Sequence, residues 1–532
     1  MLLAAMMLLL GQDVPNTDTH FPLPKFTSVK EWEVRKAHLR KQILFAAGLD
    51  PMPEKTPLHP QIFGRIQTKD CIIEKVLLET MPGYYLGGNL YRPLNGAGKL
   101  PAVLNPHGHW TYGRLENQPL YSGPTLGANF ARQGYVVFAW DMVGYNDTIQ
   151  TPHAFGSPQE KLWSFGPYGL QLWNSIRALD FVLSLDDVDP ARIAMTGASG
   201  GATQTISLAA VDDRISYFAP VNMISAYMQG GDFCENAPGL RFETNNVEIA
   251  AMMAPKPLLM VSATGDWTKN TPTEEYPAIK RLYELYGKSG NIETIQLDAP
   301  HNYNKENREA VYRFFAKHIL HSPDAAGLKE RSADIQNLQN MLALSNRTLP
   351  ANAVTYAQLF AEWKRRPAQP AVENLKLALA ADWPGTPNLN MPHTLIEGKG
   401  MPALIVGGAP KDAPAGRPAL LIEVFKTRDH SAKHFEAFNR SDDQLRVQDI
   451  LTALAWLHQK YPGKIELIGI GTASSVQAEF AAAIAPIPLK LTNDLTGFTG
   501  TDEDFLKYFY VPGIQTAGGL ALADRLTASR RL

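Results

Sequence analysis

The chain has 532 residues, of which 45% are hydrophobic and 19% charged, a composition that excludes a disordered or fibrous protein. Its 50 basic and 52 acidic side chains nearly cancel, so charge gives no reason to expect nucleic acid or an anionic membrane as a partner. A single core stops growing at roughly 250 to 300 residues, so we expect two domains or more.

The first ten residues, MLLAAMMLLL, are all apolar and are followed by a polar segment. Ten residues are too few to span a bilayer, and they match the hydrophobic part of a signal peptide without its basic start. We predict that residues 1–20 are a signal peptide or a disordered N-terminus, with a frayed helix as the alternative. The protein is then secreted or periplasmic, without stable membrane insertion.

Strands and helices alternate along the first 320 residues, after a helix predicted over residues 30–49. Met81-Pro82-Gly83 predicts a hairpin turn between the first two strands. The remaining apolar runs are typical of buried parallel strands, which gives an α/β fold with a mostly parallel, doubly wound sheet. The predicted strands are 72–80, 84–91, 101–105, 135–140, 193–195, 215–221, 257–261 and 292–297, and the later helices are 168–185, 274–286 and 306–319.

The second half of the chain contains a degenerate repeat of the first. Lys464 to Ala473, KIELIGIGTA, follows the pattern of Arg192 to Gly201, RIAMTGASGG, and places Gly471 where the first copy has Ser199. Two further matches occur in the same order, at Glu362-Trp363 against Glu31-Trp32 and at residues 511–514 against 237–240. We predict a first domain over 21–322, a helical connector over 323–350 and a shortened, non-catalytic second domain over 351–532.

Gly197-Ala198-Ser199-Gly200-Gly201 has the G-x-S-x-G pattern of a nucleophile elbow, in which a serine occupies a sharp strand-to-helix turn. The strained backbone tolerates no bulk two residues before or after the serine, and Gly197 and Gly201 meet this need. An ordinary glycine-rich turn is the alternative. A serine hydroxyl also needs a histidine base oriented by a carboxylate.

Asp266 and His301 are the predicted partners of Ser199. Asp266 follows the strand 257–261 directly, and His301 follows the last strand, so that the order is serine, acid, histidine. Asp298 and Glu235 are the rival acids.

The loop after residues 101–105 reads Pro106-His107-Gly108-His109-Trp110 and predicts an oxyanion hole. We expect one donor to be the amide of Gly200 and the other to be that of His109 or Gly108. His-x-His spacing also occurs in metal sites, but no third ligand cluster accompanies the pair, so we expect no metal. No cofactor is expected either. Trp110, Asp141, Glu235 and Trp267 are candidates for lining the pocket, although Asp141 could instead hold its own loop and the tryptophans could be core residues.

Four segments, VDPARIAMTGASGGAT, CENAPGLRFETN, LLMVSATGDWT and DAPHNYN, together resemble the acetyl xylan esterase-like and dienelactone-hydrolase-like α/β-hydrolases of bacteria over about residues 30 to 320. The resemblance implies the α/β-hydrolase fold and a carboxylesterase in which Ser199, Asp266 and His301 form the triad. It implies acyl groups, such as acetyl, on carbohydrate or on a small ester as the substrate.

Three alternatives stay open: a glucuronoyl or feruloyl esterase, a peptidase related to prolyl oligopeptidases, and a carbohydrate-binding protein without activity. The sequence does not determine the oligomeric state or whether Cys71 and Cys234 pair.

Overall fold

The computed structural model describes residues 14–366 and 371–531, so the apolar segment predicted as a signal peptide lies outside the described residues. Residues 14–20, which that prediction included, are ordered. Thr17 is 2% exposed, and its carbonyl accepts a hydrogen bond from the amide of Gln229. This part of the predicted segment therefore belongs to the folded protein. None of the helices in the described ranges is long and apolar enough to cross a membrane.

The first domain is built on a nine-stranded sheet and also contains a separate two-stranded ribbon. In chain order the strands are β1 Gln61–Gln67, β2 Ile72–Met81, β3 Tyr84–Arg92, β4 Leu100–Leu104, β5 Asn117–Gln118, β6 Tyr121–Ser122, β7 Val136–Trp140, β8 Val188–Ala198, β9 Tyr217–Val221, β10 Leu258–Gly265 and β11 Ile292–Pro300. Their order in the sheet is β1-β2-β3-β7-β4-β8-β9-β10-β11.

The first three strands are antiparallel and the rest of the sheet is parallel, apart from the antiparallel β3–β7 pair. The predicted hairpin is confirmed: Pro82 and Gly83 join β2 to β3, and Gly83 has φ +71°, a conformation that glycine adopts without strain. Strand β1 was not predicted, because its sequence QIFGRIQ is half polar and its residues are mostly exposed.

Helices on both faces complete the doubly wound fold. They are α1 Val29–Ala46, α2 Gly123–Arg132, α3 Pro158–Leu162, α4 Pro167–Leu183, α5 Gly200–Val211, α6 Asn246–Ala251, α7 Glu275–Leu285 and α8 Lys305–His318. Because helices cover the sheet, every residue of β7 is buried, as continuous apolar strands require. The carboxyl ends of β4, β8, β10 and β11 lie at one edge of the sheet, where ligands bind in open α/β folds.

The predicted helical connector is wrong. Only α9, Leu338–Met341, is α-helical between residues 328 and 344, and the rest is an extended strap across the first domain. The strap's backbone is satisfied by side chains of that domain: Arg132 donates to the carbonyls of Arg331 and Ser332, and Asp147 accepts from two amides at 343 and 344. These long-range partners replace the local hydrogen bonds that a helix would make.

The second domain contains a five-stranded sheet with its own hydrophobic core. Its strands are β12 His393–Ile396, β13 Ala403–Val406, β14 Ala419–Ile422, β15 Ile465–Gly469 and β16 Leu489–Thr492, and its helices, after α10 Tyr356–Arg365, are α11 Val372–Leu379, α12 Phe435–Phe438, α13 Asp442–Lys460, α14 Thr472–Ile484, α15 Asp502–Tyr508 and α16 Gly519–Thr527.

The order β12-β14-β13-β15-β16 has the same succession and strand directions as β3-β7-β4-β8-β9 of the first sheet. The second domain therefore repeats the five central strands of the first. At the turn between β15 and α14, Gly471 has φ +82°, in the same left-handed region as the turn at residue 199.

The two domains share apolar surface. Phe45 of α1 and Leu162 of α3 lie in the hydrophobic core of the second domain. Conversely, Trp363 of α10 is 2% exposed and packs in the core of the first domain, the same core that contains Trp32. The Glu362-Trp363 segment therefore does not occupy, in the second domain, the position that Glu31-Trp32 occupies in the first. We therefore propose that the second domain begins near residue 371 rather than at the predicted 351.

Candidate active site

Ser199 lies on a strained turn between β8 and α5. Its φ of 56° and ψ of −123° are costly for a residue with a side chain, by about 1 to 3 kcal/mol. A Cβ at Gly197 would come within 2.6 Å of the Pro106 carbonyl oxygen, and one at Gly201 within 2.4 Å of the same atom. The two glycines thus let the oxyanion loop predicted over 106–110 approach the turn.

Asp266 and His301 meet at the carboxyl ends of β10 and β11. Asp266 Oδ2 and His301 Nδ1 are 3.0 Å apart, and the Asp266 side chain is 1% exposed against 26% for His301. The second carboxylate oxygen, Oδ1, accepts hydrogen bonds from the amide of Thr268 at 2.6 Å and from its hydroxyl. The carboxylate is fixed in this way and orients the imidazole.

The rival acids lie elsewhere. Asp298 is exposed and accepts a hydrogen bond from the Thr264 hydroxyl at 2.6 Å. Glu235 is 3% exposed and accepts from the Thr203 hydroxyl at 2.8 Å and from the amide of Gly231 at 2.9 Å. Among the described residues, His301 hydrogen-bonds to neither rival.

Two tryptophans, both predicted as candidates for lining the pocket, border His301. The ring of Trp267 lies 4.3 Å from that of His301 between centroids, and the ring of Trp110 lies 6.4 Å away and nearly parallel. Trp110 Nε1 and Trp267 Nε1 are buried without a hydrogen-bond partner in the described protein. Within the described residues, the Ser199 hydroxyl also makes no hydrogen bond.

His107 supports the loop that faces Ser199. Its Nε2 accepts from the amide of Met142 at 2.9 Å, which leaves the proton on Nδ1, where it donates to the Gly108 carbonyl at 2.7 Å. Burial lowers the pKa of His107 to about 3 and keeps the ring neutral. A Cβ at Gly108 would lie 2.6 Å from the Ala198 carbonyl oxygen and 3.1 Å from Ser199 Cβ. The loop therefore passes directly against the predicted nucleophile.

The predicted oxyanion donors lie on both sides of the contact between Gly108 and the Ser199 turn. The amide of Gly200 begins α5, where helix amides have no intrahelical acceptor. Within the described residues, the amides of Gly108 and His109 donate no hydrogen bond either. The His109 ring lies over the turn, with Cε1 2.8 Å from the position of a Cβ on Gly200.

Two of the predicted pocket residues do not line the pocket. Asp141 is 1% exposed, pairs with Arg114, and accepts from Asn146 Nδ2 at 2.8 Å and the amide of Asp147 at 3.0 Å. Burial raises its pKa to about 6. Asp141 therefore holds its own loop by hydrogen bonds, which was the alternative stated above. Glu235 likewise accepts hydrogen bonds from the amides of Gly231 and Asp232 and holds the loop that precedes it.

The expectation that no further ligand-type groups accompany the His107–His109 pair is wrong. His107 is engaged within the loop, but His153, Asp232 and Cys234 converge on His109, and one ligand atom from each of the four lies within 4.8 Å of the others. Cys234 and Cys71 are both buried free thiols. The three residues that join His109 come from loops without periodic patterning, so the sequence carried no signal for them.

A cleft of about 870 Å³ separates the two domains beside this cluster. Its walls are formed by residues 231–238 of the first domain and by residues 430–446 of the second, with Lys161 and Tyr510 at the margin. His434 Nε2 lies 3.2 Å from the Gly231 carbonyl oxygen across the cleft. The second domain thus contributes a wall next to the site.

Comparison with known proteins identifies similar sequences and a similar solved structure. A sequence model of the family Acetyl xylan esterase (AXE1) matches residues 66–229. The chain is 27% identical over 275 residues to "Putative hydrolase YtaP" of Bacillus subtilis (strain 168), an alignment that covers 48% of this chain and 89% of the relative. It is similar to the solved structure "Methylesterase BT1017" with a TM-score of 0.55 and 28% identity, covering 64% of this chain and 75% of that one.

Proposed function

We propose that the protein is a serine carboxylesterase that removes acyl groups, foremost acetyl, from carbohydrate, because its first domain resembles acetyl xylan esterases and related hydrolases. The observation that carries the proposal is the 3.0 Å contact between Asp266 and His301, at the same sheet edge as the strained turn of Ser199. The serine, acid and histidine follow strands β8, β10 and β11 in the order that this fold uses.

In the proposed reaction, Ser199 Oγ attacks the ester carbonyl while His301 Nε2 takes its proton. Asp266 holds the proton on Nδ1 of His301, so that Nε2 is free to act as the base, and stabilises the imidazolium that forms. The imidazolium then gives its proton to the departing alcohol oxygen. Water, activated by the same nitrogen, attacks the acyl-enzyme and releases the acid.

The developing oxyanion needs donors that are fixed before the reaction. The amide of Gly200 and an amide of the 108–109 segment supply them in this proposal. The loop is held from behind by His107, whose two ring nitrogens are both engaged, to Met142 and Gly108. The donors therefore need little reorganisation when charge appears on the substrate oxygen.

A carbohydrate substrate is supported by the surface around the site. Tyr112, two residues after Trp110, is 49% exposed, and Phe233 on the cleft wall is 48% exposed. Exposed aromatic side chains beside a cleft are typical of ligand-binding surfaces. The second domain then serves to extend the cleft for a substrate larger than a simple ester.

A methyl ester of a uronic acid is the second candidate substrate. It is supported by the similarity to the solved structure "Methylesterase BT1017". The same residues would act on it, with methanol as the leaving alcohol instead of a sugar. The prediction of a secreted or periplasmic location rests on residues outside the described ranges and stays a prediction.

The proposal is tested with a panel of acetylated, feruloylated and methyl-uronate esters and peptide amides, with wild type and Ser199→Ala measured side by side. We expect hydrolysis of acetyl esters, lost by about 10⁴-fold or more in the variant. Equal turnover by both proteins would refute the role of Ser199. Cleavage of amides without esters would favour the peptidase alternative.

The role of the exposed aromatic side chain near Trp110 is tested separately with Tyr112→Ala. We expect the KM for acetylated oligosaccharide to rise about tenfold with kcat unchanged, since only binding common to ground and transition state is removed. The KM for p-nitrophenyl acetate is the control and should not change. Equal effects on both substrates would argue against a carbohydrate-binding role.

A further inference from the structure

Four side chains meet beside the Ser199 turn: His109 of the predicted oxyanion loop, His153 of a second loop, and Asp232 and Cys234 at the start of a short 3-10 helix. His109 Nε2 lies 3.2 Å from Cys234 Sγ and 3.6 Å from Asp232 Oδ2. His153 Nε2 lies 3.8 Å from Asp232 Oδ1. All four ligand atoms lie within 4.8 Å of one another. None of these contacts is used by the proposed reaction.

These separations are close to those of a tetrahedral metal centre. Zinc binds histidine nitrogen at about 2.0 to 2.1 Å and cysteine sulfur at about 2.3 Å, so neighbouring ligand atoms are about 3.3 to 3.6 Å apart. The three recorded contacts differ from these values by a few tenths of an ångström, although the two histidines contact different oxygens of Asp232. All the pairs lie within 4.8 Å, so the side chains must close on the ion by up to about 1 Å. Two imidazoles, a thiol and a carboxylate are a ligand set that suits zinc and not calcium or magnesium, which prefer oxygen.

The orientation of His153 gives an independent indication. Its Nδ1 lies 2.6 Å from the Val143 carbonyl oxygen and therefore carries the proton that donates to it. The other nitrogen, Nε2, thus presents a lone pair, and it is buried without a hydrogen-bond partner in the described protein. A histidine that donates from one nitrogen to a backbone carbonyl and turns the other toward the ion is the usual arrangement of a metal ligand.

We propose that His109, His153, Asp232 and Cys234 bind one zinc ion. Four protein ligands complete the tetrahedron, so the site is closed and structural, without a position for water or substrate. The ion would join the oxyanion loop, through His109, to the loop after β7 and to the segment 231–235 that forms the cleft wall. Because the His109 ring lies over Gly200, the ion would also fix the loop beside the nucleophile.

The test uses the full-length protein after removal of metal with a chelator. Cobalt(II) is titrated and followed by visible absorption, and zinc is then added in competition. We expect one equivalent of cobalt with a tetrahedral spectrum and a thiolate-to-cobalt charge-transfer band, displaced by one equivalent of zinc. Zinc should also raise the melting temperature, since it binds only the folded state.

Variants locate the site. Cys234→Ser should abolish the charge-transfer band, and Asp232→Asn should weaken cobalt binding more than about 100-fold, beyond the loss that a supporting residue causes. Matched controls are Cys71→Ser, the other buried thiol, and His318→Gln, a histidine paired with Glu293 far from the cluster in the fold. Both controls should bind cobalt as wild type does.

Loss of binding through misfolding is separable from loss of a ligand. Cys234 is buried, but the Asp232 side chain is 38% exposed, so Asp232→Asn should retain the circular dichroism spectrum and fold of wild type. The proposal is overturned if chelated wild type takes up neither ion stoichiometrically. It is equally overturned if folded Asp232→Asn and Cys234→Ser bind cobalt with the wild-type spectrum. Esterase activity is not the readout, so this result is independent of the proposed function.

Discussion

The replacement Asp266→Asn tests the proposed triad most sharply, because the structure dictates how the new amide must turn. Oδ1 of Asp266 accepts hydrogen bonds from the amide and the hydroxyl of Thr268. An asparagine keeps these bonds only if its oxygen stays on that side. Turning over would give up two hydrogen bonds, each contributing about 0.5 to 1.5 kcal/mol, and would place two N–H groups against each other.

The amide nitrogen of the asparagine is therefore directed at His301. It can only donate, so Nδ1 of His301 must accept and the ring proton moves to Nε2. In that tautomer the histidine cannot take the proton of Ser199. We expect kcat to fall by about 10⁴-fold, as for an aspartate-to-asparagine change in a serine protease triad. This corresponds to about 5.4 kcal/mol in the activation free energy.

The assay is steady-state hydrolysis of p-nitrophenyl acetate at neutral pH, with the melting temperature measured in parallel to confirm folding. Asp298→Asn is the matched control, since it makes the same change in an exposed carboxylate that bonds to Thr264. It should leave kcat within a few-fold of wild type. A kcat for Asp266→Asn within tenfold of wild type, or a large loss in the control, would refute the assignment.

Gly108→Ala should lower kcat by about 100-fold with little change in KM, because the new methyl group would press on the Ala198 carbonyl and displace the proposed oxyanion donors; a change in KM alone would contradict this role. Phe45→Ala should lower the free energy of unfolding by about 3 to 5 kcal/mol in denaturant titration, as for a buried core aromatic, and a loss below about 1 kcal/mol would argue against a shared core. Hydrogen bonding from His318 is the main cause that lowers the pKa of Glu293 from 4.5 to about 2, so its charged form stabilises the fold. The melting temperature of Glu293→Gln should therefore fall short of wild type above pH 4.5, and the difference should close as pH falls toward 2; a deficit that is constant with pH would contradict the ion pair.

Patterns of local sequence were sufficient to predict most of the strands in the first sheet. Strands such as β7 are uninterrupted apolar runs, and the Pro82-Gly83 turn has the residues that its geometry requires. Strand β1 and the strap over 328–344 escaped prediction because their conformation is set by partners far along the chain. The strap's charged sequence has helical propensity, yet its amides find acceptors on the first domain.

The residues of the candidate site also fall into those that local sequence places and those that depend on partners far along the chain. The turn at Ser199 and the positions of Asp266 and His301 follow from strand ends and chain order, which sequence reveals, and their catalytic roles stay a prediction. The sequence left open whether Trp110 and Trp267 line the pocket or belong to the core; the structure places both rings beside that of His301. For Asp141 the sequence left two alternatives open, because a carboxylate after a strand can equally face a pocket or its own turn. The group around His109 could not be predicted, since its members are brought together by loops.

The second sheet repeats five strands of the first sheet, so the strands that form a core can be compared with the strands that carry the proposed catalytic residues. Those five strands close a core of their own without any counterpart of β10 and β11 among the described residues. In the first domain, β10 and β11 are the strands that carry Asp266 and His301 at their ends. The protein thus contains, side by side, a five-stranded sheet with a core of its own and the same five strands extended by the two that carry the proposed acid and base.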